Sequence, residues 1–140
     1  MRILGIDYGE ARVGIAIKDP LNITTQGLET IQRNGSDKVV VRRLDEIFEN
    51  YDVDTIVVGM PFNMNGSISE RAKITEQFVH KLKCKYNKMK IITSDERLTT
   101  VEAHKTMNFL DVNKNKKKNI VDTISAMYIL ETYLNKINQK

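Results

Sequence analysis

The sequence predicts an α/β fold: a five-stranded mixed sheet, with strands 1–3 in an antiparallel meander, strands 4 and 5 parallel, and helices on both faces. Two observations carry this. The first 31 residues hold three apolar, β-branched stretches separated only by turn residues, which leaves room for hairpins and none for a crossover helix. From Ser36 onward the apolar spacing takes a helical period, and later β-branched runs alternate with helical ones, the arrangement that joins parallel strands.

Arg2 to Asp7 and Arg12 to Lys18 are rich in Ile and Val, and Tyr8-Gly9-Glu10-Ala11 between them can turn at Gly9, so the two form a hairpin. Asp19-Pro20 stops the second strand, and Ile23 to Ile31 is the third, interrupted by Gly27. Ser36 is available as N-cap for a first helix in which Val40, Leu44, Ile47, Phe48 and Tyr51 share a face. Thr55 to Val58, ended by Gly59-Met60-Pro61, reads as a buried central strand. Ser67 with Glu70 forms a capping box for a second helix, whose apolar face is Ile68, Ala72, Thr75, Val79 and Leu82. Met89 to Thr93 is the fifth strand. Thr99 with Glu102 opens a short helix to about Leu110, Val112 to Lys118 is expected to be a loop, and Asn119 to start a last helix carrying Ile120, Ile124, Met127, Leu130 and Leu134. With no repeat or linker in the order β-β-β-α-β-α-β-α-α, residues 1–140 are expected to form one domain.

Apolar residues make up 41% and charged residues 29%, which excludes a disordered chain. A lone cysteine, Cys84, excludes an intramolecular disulfide and any two-cysteine redox or metal motif. The apolar run after Met1 breaks at Asp7, too early for a secretion signal, and about 18 consecutive apolar residues occur nowhere, so no membrane partner and a reducing cytoplasmic setting are expected. The net charge is +4 with a pI near 9.1. Lysines cluster at Lys81, Lys83, Lys85, Lys88 and Lys90, and again at Lys114, Lys116, Lys117 and Lys118, a pattern that fits an acidic partner such as nucleic acid and equally a pair of solvated faces.

Three acids stand where chemistry is expected. Asp7 follows Ile3-Leu4-Gly5-Ile6 in the middle of the sheet, where an unpartnered carboxylate is costly to bury. It could simply close the hairpin turn, but Gly9 lets backbone pass close to a phosphate and Arg12 offers a two-pronged donor. Asp95, Glu96 and Arg97 follow a strand that ends where α/β sheets open their ligand crevices. Asp122, read as a helix-start acid, shares a face with Ala126 and Ile129 beside the core stripe. Acids arriving from two strand ends and a helix give hard oxygen ligands for Mg²⁺ or Mn²⁺, with positions left for water and phosphate. His80 and His104 sit within helical stretches without a nucleophile pattern and are given no role.

Leu4-Gly5-Ile6-Asp7-Tyr8-Gly9 with Arg12-Val13-Gly14-Ile15-Ala16, Val58-Gly59-Met60-Pro61 with Met64-Asn65-Gly66, Asp95-Glu96-Arg97-Leu98-Thr99-Thr100, and Lys116-Lys117-Lys118 before Val121-Asp122 together resemble the YqgF family, also called RuvX. The resemblance spans nearly the whole chain. It implies an RNase H-like fold and a metal-dependent nuclease, most directly one that processes the 5′ end of the small-subunit (16S) ribosomal RNA precursor. Alternatives are a Holliday junction resolvase acting on branched DNA and a non-catalytic nucleic-acid-binding protein, either as monomer or homodimer. By the same resemblance Asp7, Glu96 and Asp122 are the catalytic acids and the ligands of Mg²⁺ or Mn²⁺, with Asp95 the alternative to Glu96. Arg12, Arg97, Lys114, Lys116, Lys117 and Lys118 would then grip phosphates of pre-rRNA or branched DNA. The chain departs from the pattern at Asn65, where relatives often carry Asp, and at Ser125 and Ala126, where the related RuvC resolvases carry a second acid on the last helix. A hairpin with Asp-x-Gly also resembles the phosphate loop of actin-like ATPases and sugar kinases, but those proteins use two such domains, and this length holds one.

Overall fold

A computed structural model describes residues 2–20, 25–61, 69–95 and 114–138. One sheet runs in the order β3-β2-β1-β4-β5, built from β1 (Arg2–Tyr8), β2 (Arg12–Lys18), β3 (Gln26–Gln32), β4 (Val53–Met60) and β5 (Lys90–Asp95). β1 pairs antiparallel with β2 and parallel with β4, β2 antiparallel with β3, and β4 parallel with β5. The meander and the parallel pair are those the sequence predicts, and Asp7 lies on the central strand. Gly9 closes the first turn, its N–H donating to the Arg12 carbonyl at 2.9 Å. The break anticipated at Gly27 is a one-residue register shift: Ile15 pairs with Glu29 and Ala16 with Gly27, so Leu28 is extra, a β-bulge beside the glycine.

Strand alternation sorts the side chains onto two faces. Leu4, Ile6 and Tyr8 of β1, Val13, Ile15 and Ile17 of β2, and Ile56 and Val58 of β4 point to one face. There α1 (Asp37–Asn50) brings Val40, Leu44 and Ile47, and α2 (Glu70–Lys85) brings Phe78, Val79 and Leu82. Tyr8 and Phe78 stack with ring centroids 4.1 Å apart. The other face is covered by α3 (Lys114–Asn138), whose Ala126, Ile129 and Leu130 pack on Ala16 and Val57. That face is lined by small residues, so the helix lies close. A Cβ on Gly5 would fall 2.8 Å from the Ala126 carbonyl oxygen, and one on Gly14 only 2.1 Å from that of Asp122. Glycine at these positions is a packing requirement and not a turn signal.

Three expectations need correction or limiting. Lys114 to Lys118, expected in a loop, are helical, and Asn119 lies inside α3 instead of capping it. The stretch contains neither Gly nor Pro, and Lys is a good helix former, so nothing local stops the helix from extending outward. The N-cap of α2 is Ser69, whose Oγ accepts from the Ala72 N–H at 3.0 Å and whose hydroxyl donates to the Pro61 carbonyl at 2.9 Å. This second bond ties the cap to the end of β4, which Ser67 was not needed to supply. The proposed helix from Thr99 to Leu110 lies outside the described residues.

Candidate metal and nucleic-acid site

Asp7 and Gly14 are direct partners across the β1–β2 pair, so both face α3. Because the Asp122 backbone sits on Gly14, the helix delivers Asp122 to the position across the strand from Asp7. Asp122 is also two turns into α3, beyond the first-turn reach of the helix dipole, so its placement is not explained as a helix-start acid. Its carboxylate is 18% exposed and accepts a hydrogen bond from Arg12 Nε at 2.7 Å. Arg12, expected to grip phosphate, is therefore already on one of the acids. The pair also shows that this carboxylate accommodates a cation.

The third acid is less directly placed. Glu96 and Arg97 lie outside the described residues. Asp95 ends β5 opposite Met60, in register with the strand positions that face α1 and α2, so alternation turns it away from the Asp7 side. Among the described residues no three His, Cys, Asp or Glu side chains gather at one point. Lys114, Lys116, Lys117 and Lys118 occupy the end of α3 that leads to Asp122, and the first turn of that helix contains no acid. The Asn65 loop is outside the described residues.

On the opposite face a second acid network serves the fold. Asp37 accepts from Tyr8 Oη at 2.5 Å, Arg33 Nε at 2.9 Å and Lys81 Nζ at 2.8 Å, joining β1, α1 and α2. Burial alone would raise the Asp37 carboxyl, but the bonds from Lys81, Tyr8 and Arg33 outweigh it and hold it below the ordinary value. Burial, then the Asp37 bond, pushes the Tyr8 hydroxyl up to about 12. Lys81, part of the first lysine cluster, is thus committed to a structural pair, as is Lys85 with Asp45 at 2.9 Å. Neither network was foreseen from the sequence; Asp37 directly after the Ser36 cap was its one visible sign.

A family model described as RuvX, Holliday junction resolvase, matches residues 1–136. A protein of Ruminiclostridium cellulolyticum is 53% identical over 98% of this chain and 96% of its own length, and one of Clostridium tetani is 45% identical over all of both. Both are provisionally named pre-16S rRNA nucleases. Among solved structures, Thermus thermophilus RuvC in complex with a Holliday junction substrate superposes with a TM-score of 0.56 at 13% identity, covering 97% of this chain and 96% of that one. The same protein alone gives 0.54 at 12% identity. Together with the strand order, this likeness establishes the RNase H-like fold.

Proposed function

The chain belongs to the RuvX family, and on that premise we propose that it is a Mg²⁺- or Mn²⁺-dependent nuclease that hydrolyses phosphodiesters of nucleic acid, with pre-16S rRNA as its substrate. The observation that carries the reading is the close seating of the Asp122 backbone on Gly14, the cross-strand partner of Asp7, which supports a shared site for two acids more than a hundred residues apart. The donor set fits a hard divalent cation: two carboxylates on one face, one of them already paired with a positive group. Glu96 is the third ligand in this reading, favoured over Asp95 because alternation along β5 turns Asp95 away from Asp7. Asp7, Asp122 and Glu96 would hold the ion, which when bound would supply an acidified attacking water and charge neutralisation at the phosphate.

The chain's own groups position the strand. The lysines at the outer end of α3 lie roughly 6–12 Å beyond Asp122 along the helix axis, at 1.5 Å per residue. Four cations with no acid at a helix N-terminus oppose the helix dipole and cost stability. A local rule broken in this way is expected at a functional surface, and phosphate binding explains it. Arg12 would hold Asp122 until a metal and a phosphate arrive to share its charge. The site sits in the cytoplasm with nucleic acid as partner in this reading, and no described helix is long and apolar enough to cross a membrane.

The test is cleavage of end-labelled precursor RNA and of a four-way DNA junction by the purified protein, with Mg²⁺, Mn²⁺ or chelator, and with Asp7→Asn alongside. Metal-dependent cutting of the RNA that Asp7→Asn abolishes supports the proposal. Cutting of the junction alone would favour the resolvase reading, and binding without cutting of either would make the chain a non-catalytic nucleic-acid-binding protein.

A further inference from the structure

A cleft of about 330 Å³ opens on the other side of the β1–β2 turn, between that turn and the first two turns of α2. Tyr8, Gly9 and Glu10 form one wall, Arg33 the back, and Glu70, Arg71, Ile74 and Thr75 the other wall. Its volume is at the small end of ligand pockets, room for one nucleotide and not for an oligonucleotide. Three of its residues differ in availability. Arg33 is committed: it donates to Asp37 and to the Glu10 carbonyl, and lies over the Tyr8 ring. Arg71 donates to the Tyr8 carbonyl at 3.3 Å, and no carboxylate pairs with it among the described residues. Ile74 is 47% exposed, one of the few large apolar side chains left to water.

We propose that this cleft holds one nucleotide of the substrate strand, with Arg71 on its phosphate and Ile74 against its base. The inference rests on the nuclease reading and extends it to a contact on the far side of the strand end. The anchor of Arg71 is the carbonyl of the residue directly after Asp7, about 3.8 Å along the chain by Cα spacing. A strand that crosses the end of β1 with one phosphate at the acids therefore passes the cleft, where Arg71 can take another phosphate of the same strand. The lining also suits a nucleotide better than a bare anion. Glu10 and Glu70 at the rim offset the arginines, which disfavours a cluster of phosphates, and their carboxylates can accept from a base amino group.

Binding of a fluorescein-labelled, mixed-sequence single-stranded RNA is measured by anisotropy in chelator at several salt concentrations, for the parent, R71A, R71K, I74A and the variant with Lys114, Lys116, Lys117 and Lys118 all changed to Ala. R71A should bind roughly tenfold more weakly, as expected for loss of one charge-assisted bond, and its log–log salt slope should fall by about one unit. R71K should restore the slope, which a merely structural role for Arg71 would not predict. I74A should weaken binding a few-fold with the slope unchanged. If R71A and I74A bind as the parent does while the lysine variant loses slope, the cleft is overturned and the nuclease reading stands. If the parent binds no RNA, the nuclease reading falls and the cleft proposal with it.

Discussion

Replacing Gly14 by Ala tests whether the packing of α3 and the placement of Asp122 are one property. The added Cβ would lie 2.1 Å from the Asp122 carbonyl oxygen, 2.5 Å from its carbonyl carbon and 3.0 Å from its Cβ. Carbon–oxygen contacts settle near roughly 3.3 Å, so the helix must retreat by about 1 Å at this point. Two of the three clashing atoms are backbone, and no rotamer change relieves them. Overpacking of this kind costs roughly 1–3 kcal/mol, which for a chain of this length lowers the melting temperature by roughly 4–12 °C. A 1 Å misplacement of a reacting group costs about a hundredfold in rate, so cleavage measured well below the melting temperature should fall by about that factor. Gly5→Ala is the control. Its Cβ would meet Leu130 Cγ at 2.6 Å and the Ala126 oxygen at 2.8 Å, one to two turns farther from the site and partly against a side chain that can rotate. It should lose stability with a much smaller loss of rate. Circular dichroism melts and initial cleavage rates decide the matter. A Gly14→Ala protein that melts lower yet cuts at the parent rate would show that Asp122 is not held in the reacting geometry.

Asp7→Asn should melt at the same or a higher temperature than the parent in chelator, because it relieves carboxylate repulsion at nearly constant volume, and should lose the stabilisation that Mn²⁺ gives the parent; a markedly lower melting temperature in chelator would make Asp7 a structural acceptor. Changing Lys114, Lys116, Lys117 and Lys118 together to Ala should flatten the salt dependence of nucleic-acid binding by up to about four log–log units, and an unchanged slope would return them to a solvated face. The Tyr8 hydroxyl is raised from 10.0 to about 12 in the folded state, so its contribution is complete below pH 10 and is lost as pH climbs through 12. Urea titrations should therefore show an alkaline decline that Tyr8→Phe flattens, while that variant loses about 1–2 kcal/mol at neutral pH with the Asp37 bond; equal alkaline slopes in both proteins would refute the assignment.

The sheet was legible because its signals are local and redundant. Gly9 and Asp19-Pro20 mark the turns, and continuous β-branched runs such as Thr55 to Val58 distinguish buried strands from half-exposed ones. Helix ends were less legible. The capping box pointed to Ser67, whereas Ser69 caps α2 and is also tied to Pro61, a tertiary contact no local pattern reveals. The same holds for Lys114 to Lys118: an Asn before an apolar stripe imitates a cap, and only the absence of a helix breaker upstream argues for extension. At the site, Asp7 could be singled out from its strand context. The role of Gly14 could not, because a glycine in a strand reads as a weak position until the helix that crosses it is known. Arg12 could be singled out as a cation beside Asp7 in sequence, but not as the partner of Asp122, a contact spanning 110 residues.

Asp37 and Asp122 show why a half-buried acid must be judged by its partners. Both carboxylates are largely withdrawn from water, 13% and 18% exposed, on opposite faces of one sheet. Asp37 receives a hydroxyl, a guanidinium and an ammonium, which nearly fill the four or so acceptor positions of a carboxylate. With three donors upon it, Asp37 has little capacity for an outside ligand, and its removal would take a carboxylate partner from each of them. Asp122 receives one guanidinium among the described residues, and its backbone is pinned by the contact on Gly14. A carboxylate held in position with one donor upon it among the described residues fits the ligand role proposed for Asp122. In the proposed reading Arg12 would keep that charge balanced until a divalent ion takes its place. Burial is common to both acids; the difference between scaffold and site lies in how many donors the fold itself supplies.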